Sequence, residues 1–567
     1  MKLESYQTEL QALKEGARDF AKKYPALAPH LAGTSNDPDV ERILQGTAYL
    51  SAGIQERLDE DFPEFAQSIL RLVAPDYLKE IPSTSIIEFK PRNILNNAVT
   101  IKSASKLDSQ KVLGSSCRFQ TCIPVTVYPL AVNAVELIAN GQQTDLDVVI
   151  HNTSISNADV TLSELPIHLS GDYATASQLY YLLSKKLVSV SIVQGSNITH
   201  LPDAKLESLG WKDDFSMLES GKTQLNSYRK IQEYFINKYK FLFLNVTGLD
   251  KDVPLPKAFK LRFKLNSKVE GLKVDNSNIK LFCAPAINLF DTTAEPVPLD
   301  HRQSDLKLKP IRNTNNQFSI YSVLDVLGQN RRSNEKTQYL DFSLMAKQQS
   351  QQPVYELVQK AGDQGETDSL LRVNFPEGKE LPTREVITAN IRCSNGPLPQ
   401  RLKVGDINVN TPDVADLVSF ANISSVTEYI PPQTDGRVLW NLLAHLTVNY
   451  LPLADLNNLK VLLNLYNPTN QADAKEKAAN AKRIESLTQL VVEPADRLLR
   501  GQLVRGRKVL VTMDGTGFSS QGDLFVFGEL LNNLYTQFTD LNSFIELCIV
   551  NENTGEEMTW QPSQFVA

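Results

Sequence analysis

Cysteine is scarce in this chain, with five in 567 residues. Cys117, Cys122, Cys283, Cys393 and Cys548 are odd in number and mostly far apart, which argues against a disulfide framework and for a reducing compartment. A structural zinc needs four ligands, usually in two close pairs, and Cys117 with Cys122 finds no second pair. The six histidines, His30, His151, His168, His200, His301 and His445, are scattered singly, so no metal or cofactor is expected. Runs of five or six like charges are missing as well. With 58 Lys and Arg against 65 Asp and Glu, the net charge of -7 offers no long-range attraction to a phosphate backbone, and no nucleic-acid partner is expected. The most apolar long stretch, 438–451, is interrupted by Asn441, His445, Thr447 and Asn449. It falls short of the roughly 20 apolar residues of a spanning helix. The first ten residues are polar and acidic, unlike a secretory signal.

Local signatures of catalysis are also absent. The chain holds no Gly-x-Ser-x-Gly elbow, no Gly-Lys-Ser/Thr phosphate loop, no Gly-x-Gly-x-x-Gly after a strand and no His-Glu-x-x-His. Gly515 and Gly517 follow an apolar run, but without a lysine behind them they read as a turn. Glu56, Asp59, Glu60 and Asp61 spread around a helix rather than converge, and read as a solvated helix end. No catalytic residue is assigned. The chain reads as a scaffold and not an enzyme, the alternative being a carbohydrate-active or other enzyme whose site forms only in three dimensions.

What is present is globular: 42% apolar and 22% charged residues over a length that suits about three to five compact units. The first 80 residues carry helical seams. Leu3, Tyr6, Leu10, Leu13, Ala17, Phe20 and Tyr24 recur at spacings of three and four, and the pattern stops at Pro25. A second run opens at Asp37-Pro38, a capping residue followed by a first-turn proline, with Val40, Ile43, Thr47, Leu50 and Ile54 on one side. Pro63 opens a third, bearing Phe65, Ile69, Leu72 and Val73. Either these helices close on one another as a small bundle, or the seam meets helices of other chains.

After Pro82 the period falls to two, as in half-buried strands: Ile87 and Phe89, Val99 and Ile101, then Phe119 to Val127. Helices are expected near 174–187, 228–240, 439–446, 456–466, 472–490 and 524–538, and strands at 386–392, 508–513 and 544–550. In 259–265 apolar residues alternate with Lys260, Arg262 and Lys264, a pattern read as a solvated strand face. The polar stretch 329–369 shows no sustained period and reads as a long excursion. The fold class is α+β: a helical segment at 1–80, a β-rich domain with helices at 81–250, a second β-rich domain at 251–395 and an α+β domain at 396–567.

Several blocks, in order from end to end, resemble one family. They are Phe20 to Pro29 (FAKKYPALAP), Asp37 to Arg42 (DPDVER), Pro63-Glu64, Ser116 to Thr121 (SCRFQT), Leu179-Tyr180, Gln232 to Phe235 (QEYF), Cys283 to Phe290 (CAPAINLF), Arg505-Gly506, Leu541 to Phe544 (LNSF) and Trp560. The chain is similar over its whole length to the TssF family (VasA/ImpG), baseplate wedge subunits of bacterial type VI secretion systems. It departs from the family's usual pattern at 393–399, where Ser394 replaces a threonine, and at Trp560-Gln561-Pro562. The resemblance implies two copies pairing with one TssG around the spike hub protein VgrG, contacts to TssK and TssE, and support of tube and sheath assembly. It also implies a cytoplasmic location, docked at the inner face of the inner membrane through the baseplate and membrane complex, without insertion. Leu3, Leu10, Leu13, Phe20, Val40, Ile43 and Leu50 are the expected interface residues.

Overall fold

A computed structural model describes residues 3–23, 42–51, 67 and 69–70. From 75 to 561 it describes all but 156–159, 220–225, 250–254, 270, 302–304, 312–317, 331–334, 343–351, 362–366, 377–384, 433–453, 468–473, 500–501 and 540–542. The expected helix at 439–446 and the carboxylates Glu56 and Asp59 to Asp61 therefore lie outside the described residues. Contacts gather the chain into two compact units, Met1–Leu78 with Gln433–Thr447, and Lys79–Pro432 with Val448–Ala567.

The first unit contains helix α1 (Leu3–Lys23) and helix α2 (42–51). Tyr6, Leu10, Leu13 and Ala17 are half-buried on α1, as their shared spacing requires. The helix expected from Pro63 is described only at 67, 69 and 70, all helical, with Leu70 buried.

The second unit is strand-rich, and the chain as a whole is α+β. In one five-stranded antiparallel sheet Thr84–Pro91 lies between Cys283–Ile287 and Val418–Asn422, partners about two to three hundred residues away. A second centres on Ala258–Leu265, between Leu187–Gln194 and Gln143–Asn152. Its Phe259, Leu261, Phe263 and Leu265 are buried, as alternation predicts. The opposite face is not simply solvated. Asp147 lies directly across from Arg262 and is fully buried, and Arg262 Nε and Nη2 each reach its carboxylate at 2.7 Å. Lys260 sits 3.7 Å from the same carboxylate and 3.6 Å from Glu136. The cations are held within the sheet because unpaired carboxylates there would be costly to bury.

Strands also run through 329–369, where no period was legible. Ser319–Asn330, Lys336–Asp341, Val354–Ala361 and Thr367–Asn374 join an eight-stranded sheet whose core includes Phe290, Ile320, Val326, Tyr339, Tyr355 and Leu371. Lys336–Asp341 has one buried residue in six, so its inward face is too narrow to leave a pattern.

Helices α3 (Tyr173–Lys185), α4 (Asn226–Ile236), α5 (Leu456–Tyr466), α6 (Ala474–Glu485) and α7 (Gln521–Thr536) cluster in this unit. The helix expected over 472–490 stops at Glu485, where Ser486 Oγ donates to the Arg483 carbonyl and the chain turns into strand. Leu487–Leu499 then pairs along its length with Gln502–Met513. Only Arg507–Met513 gains a further neighbour, the parallel strand Ile545–Asn551, so 495–499 and 502–506 extend as a two-stranded arm. The outer strand, Leu487–Leu499, carries Pro494.

Helix α7 bridges those parallel strands and packs on α3 with glycine at the contact. A Cβ on Gly522 would overlap the Ser177 carbonyl and the Gln178 amide nitrogen. Gly522→Ala would gain about 1 kcal/mol in an open helix, but here we expect a net loss of about 1–3 kcal/mol from overpacking. Thermal unfolding checks the sign, and a stabilised variant would contradict the close approach.

His168 is buried with its ring 4.2 Å from that of Phe243, and burial pushes its pKa down to about 3. An unfolded histidine titrates near about 6.5, so stability is lost as pH falls from there toward the folded value, by about 1.4 kcal/mol per unit. In urea titrations His168→Phe should therefore flatten the decline between pH 7 and 5. An unchanged slope would place the charge change elsewhere.

Candidate functional site

The described residues contain no group of three or more His, Cys, Asp or Glu placed to hold a metal ion. His151 and His168 lie on separate strands, His200 pairs with Ser191, and His301 is exposed. Burial raises the pKa of the Cys117 thiol to about 11 and also raises that of Cys122, so neither is a thiolate near neutrality.

The glycine loop after Gln502–Met513 has the topology of a phosphate site, a strand leading through glycines to a helix and back to a parallel strand. Its chemistry does not suit an anion. Asp514 caps the turn by accepting from the Thr516 amide at 2.9 Å, and Ser520 Oγ accepts from the Asp523 amide at 3.1 Å. The adjoining cleft of about 240 Å³ is lined by Glu556, and the amides of Gly515, Thr516 and Gly517 are already taken by Asn553 and Asp514, so they form no cradle for phosphate. The reading as a turn holds.

Charge and amide groups instead serve as internal locks. Glu233 on α4 and Lys240 are 0% and 1% exposed and meet at 2.6 Å. The Glu233 carboxylate also accepts from the backbone amides of Met217 and Leu218 at 2.8 and 2.9 Å. Burial draws the Lys240 pKa down, against the pull of Glu233. Arg483 on α6 reaches the wholly buried Asp523 on α7 at 3.1 Å, and Asp523 accepts as well from the Ser519 amide and hydroxyl. Asn288 and Asn395 interlock three distant segments. Asn288 Nδ2 donates to Asn395 Oδ1 and the Arg118 carbonyl, the Asn395 amide donates to Asn288 Oδ1, and the Arg118 amide donates to Asn395 Oδ1.

The expected interface residues fall in the first unit. Leu10 and Leu13 are half-buried on α1, while the side chains of Leu3 and Phe20, and all of Val40, lie outside the described residues. On α2 the seam faces outward. Ile43 and Leu50 are 68% and 67% exposed, Thr47 between them is exposed too, and Ala48 on the opposite side is fully buried. Sequence reasoning missed a second exposed apolar pair, Leu498 and Leu503, which face each other across the arm's tip at 73% and 70% exposure. Alternation in 502–513 was its available signal.

The family description of TssF, from the type VI secretion system, matches residues 2–564. The chain belongs to the TssF family. It is similar to the type VI secretion system component TssF1 of Pseudomonas aeruginosa, 26% identical across 99% of this chain and 98% of that protein. A chain of the TssK–TssF–TssG baseplate subcomplex, solved by cryo-electron microscopy, superposes with a TM-score of 0.79 at 26% identity, over 93% of this TssF and 99% of that chain. A chain of the type VI baseplate complex shares the fold, with a TM-score of 0.65 at 23% identity and full coverage of both.

Several of the blocks that carry the TssF resemblance supply the locks. Glu233 belongs to the block at 232–235, Arg118 to that at 116–121 and Asn288 to that at 283–290. Ser394 departs from the usual threonine but keeps the hydroxyl, which donates to Glu80 at 2.6 Å. Lys240→Met would leave Glu233 buried without its cation, and we expect a loss of about 3–5 kcal/mol. Adding Glu233→Gln should recover part of it, since the amide oxygen still accepts from Met217 and Leu218. Urea unfolding of both variants is the check, and equal losses would argue against charge burial as the cause.

Proposed function

We propose that this chain is a structural wedge subunit of a type VI secretion baseplate. Two copies pair with one TssG around the spike hub protein VgrG, TssK and TssE join the wedge, and the assembled plate supports tube and sheath assembly. It acts in the cytoplasm, docked at the inner face of the inner membrane through those partners, and performs no catalysis. No helix among the described residues is long and apolar enough to cross a membrane.

The observation that carries this reading is the outward seam of α2. Ile43 and Leu50 recur at a spacing of seven and stand exposed while Ala48 is buried, the arrangement of a helix with one face still unpaired. Leu3, Leu10, Leu13, Phe20 and Val40 extend that seam, and the helices that cover it belong to TssG and to the second copy. Burial of such side chains supplies about 1.5–3 kcal/mol each, and charge complementarity at the rim sets register more than affinity.

Leu10→Asp with Leu13→Asp, and separately Ile43→Asp with Leu50→Asp, should abolish co-purification with co-expressed TssG while leaving the circular-dichroism strand signal unchanged. A complex retained by both pairs would overturn the assignment of the seam. Mass measurement of the wild-type complex tests the two-to-one ratio.

A further inference from the structure

Residues 423–432 follow Val418–Asn422 and lead directly to Gln433–Thr447, which belongs with the first unit. This segment contains no regular strand. Three backbone amides donate across to the neighbouring segment, Ile423 to Ile86, Thr427 to Thr84 and Ile430 to Ile81, and the spacing between them is irregular.

The gaps are filled by hydroxyls. Ser85 Oγ donates to the Ser424 carbonyl at 3.0 Å and lies 3.1 Å from Ser424 Oγ, which in turn accepts from the Ile86 amide at 2.9 Å. Thr427 Oγ1 accepts from the Thr84 amide at 2.8 Å and lies 3.1 Å from Thr84 Oγ1. Tyr429 donates its phenol to Glu80 at 2.7 Å, a carboxyl that also receives Ser319 and Ser394. Asn422 pins the upstream end, donating to the Ser424 and Lys403 carbonyls and accepting from the Gly405 and Ile407 amides.

The floor beneath is buried and largely polar, with Glu80, Ser83, Thr84 and Ser85 beside Ile81 and Pro82, and Ile81 exchanges both backbone hydrogen bonds with Ile430. Among the side chains of 423–432, only Ile430 and Pro432 are buried. Lifting the segment uncovers the apolar side chains of Ile430, opposite Ile81, and Pro432 at its downstream end, while along the rest water can replace each hydroxyl partner. The neighbouring strand Thr84–Pro91 is different, since Ile86, Ile87 and Phe89 are locked in the apolar core. Free energies of local opening scale with such apolar burial.

We propose that residues 423–432 form a detachable strap, hinged at Asn422, which peels from its hydroxyl track as one cooperative piece while the sheet beneath stays folded. The strap is thus a conformational device within the second unit, and it does not depend on which partners the seam engages.

Hydrogen exchange read by mass spectrometry on the full chain tests this. The strap amides of Ile423, Thr427 and Ile430 should exchange together, at least about a hundredfold faster than those of Val418–Asn422 and Cys283–Ile287. Tyr429→Phe removes a hydrogen bond at one end, and Ser424→Ala removes one at the other. Each should accelerate the whole strap by about tenfold, the equivalent of about 1.4 kcal/mol, and leave both strands unchanged. Exchange as slow as the strands overturns the strap, as does acceleration confined to the mutated end or shared with the sheet.

Discussion

The second unit depends on placing charge where water cannot reach. Glu233 and Lys240 are fully buried in it, and the carboxylate uses its remaining capacity to hold the backbone at Met217 and Leu218. An ion pair so deeply buried contributes little net stability compared with apolar side chains of the same volume. Its effect is one of position. Any arrangement that separates the pair leaves a bare charge in the interior, so the competing packings of α4 against its neighbours are raised far above the native one.

The same logic recurs across the unit. Arg483 with Asp523 fixes α6 to α7, Arg262 with Asp147 fixes a strand pair, and Asn288 with Asn395 joins the ends of two strands over a hundred residues apart in sequence. Hydrophobic burial supplies the cohesion, through rings such as Phe525 stacked 5.6 Å from Trp560 and Tyr228 stacked 5.5 Å from Tyr466. Apolar contact tolerates small displacements, whereas bidentate and amide contacts do not. A subunit whose task is to present surfaces at set distances gains more from the second kind.

This division also explains what the amino acids disclosed. Alternation revealed 259–265 and helical spacing revealed 456–466, because apolar periodicity reports burial directly. The buried ionic residues were invisible for the complementary reason: Lys240, Asp147 and Asp523 read as surface charges until their partners are brought near. The strands at 336–374 were hidden by their half-exposed faces, and Leu487–Leu499 by Pro494 and its charges. Of the candidate seam, the spacing of Ile43, Thr47 and Leu50 was legible as helical, while spacing alone does not tell an exposed apolar face from a buried one. The leucine pair at the arm's tip had only the alternation of 502–513 to reveal it, and Arg505 and Arg507 interrupt that pattern on the face of Leu503.

Pro494 lies on Leu487–Leu499, the edge strand of its four-stranded sheet. A bare edge of thirteen residues is a template on which another strand could grow. The proline has no amide hydrogen to offer, and Asp496 and Arg497 follow it closely. The sheet therefore carries its own chain terminator. A baseplate subunit must make some contacts and refuse others, and this strand shows where the refusal is written.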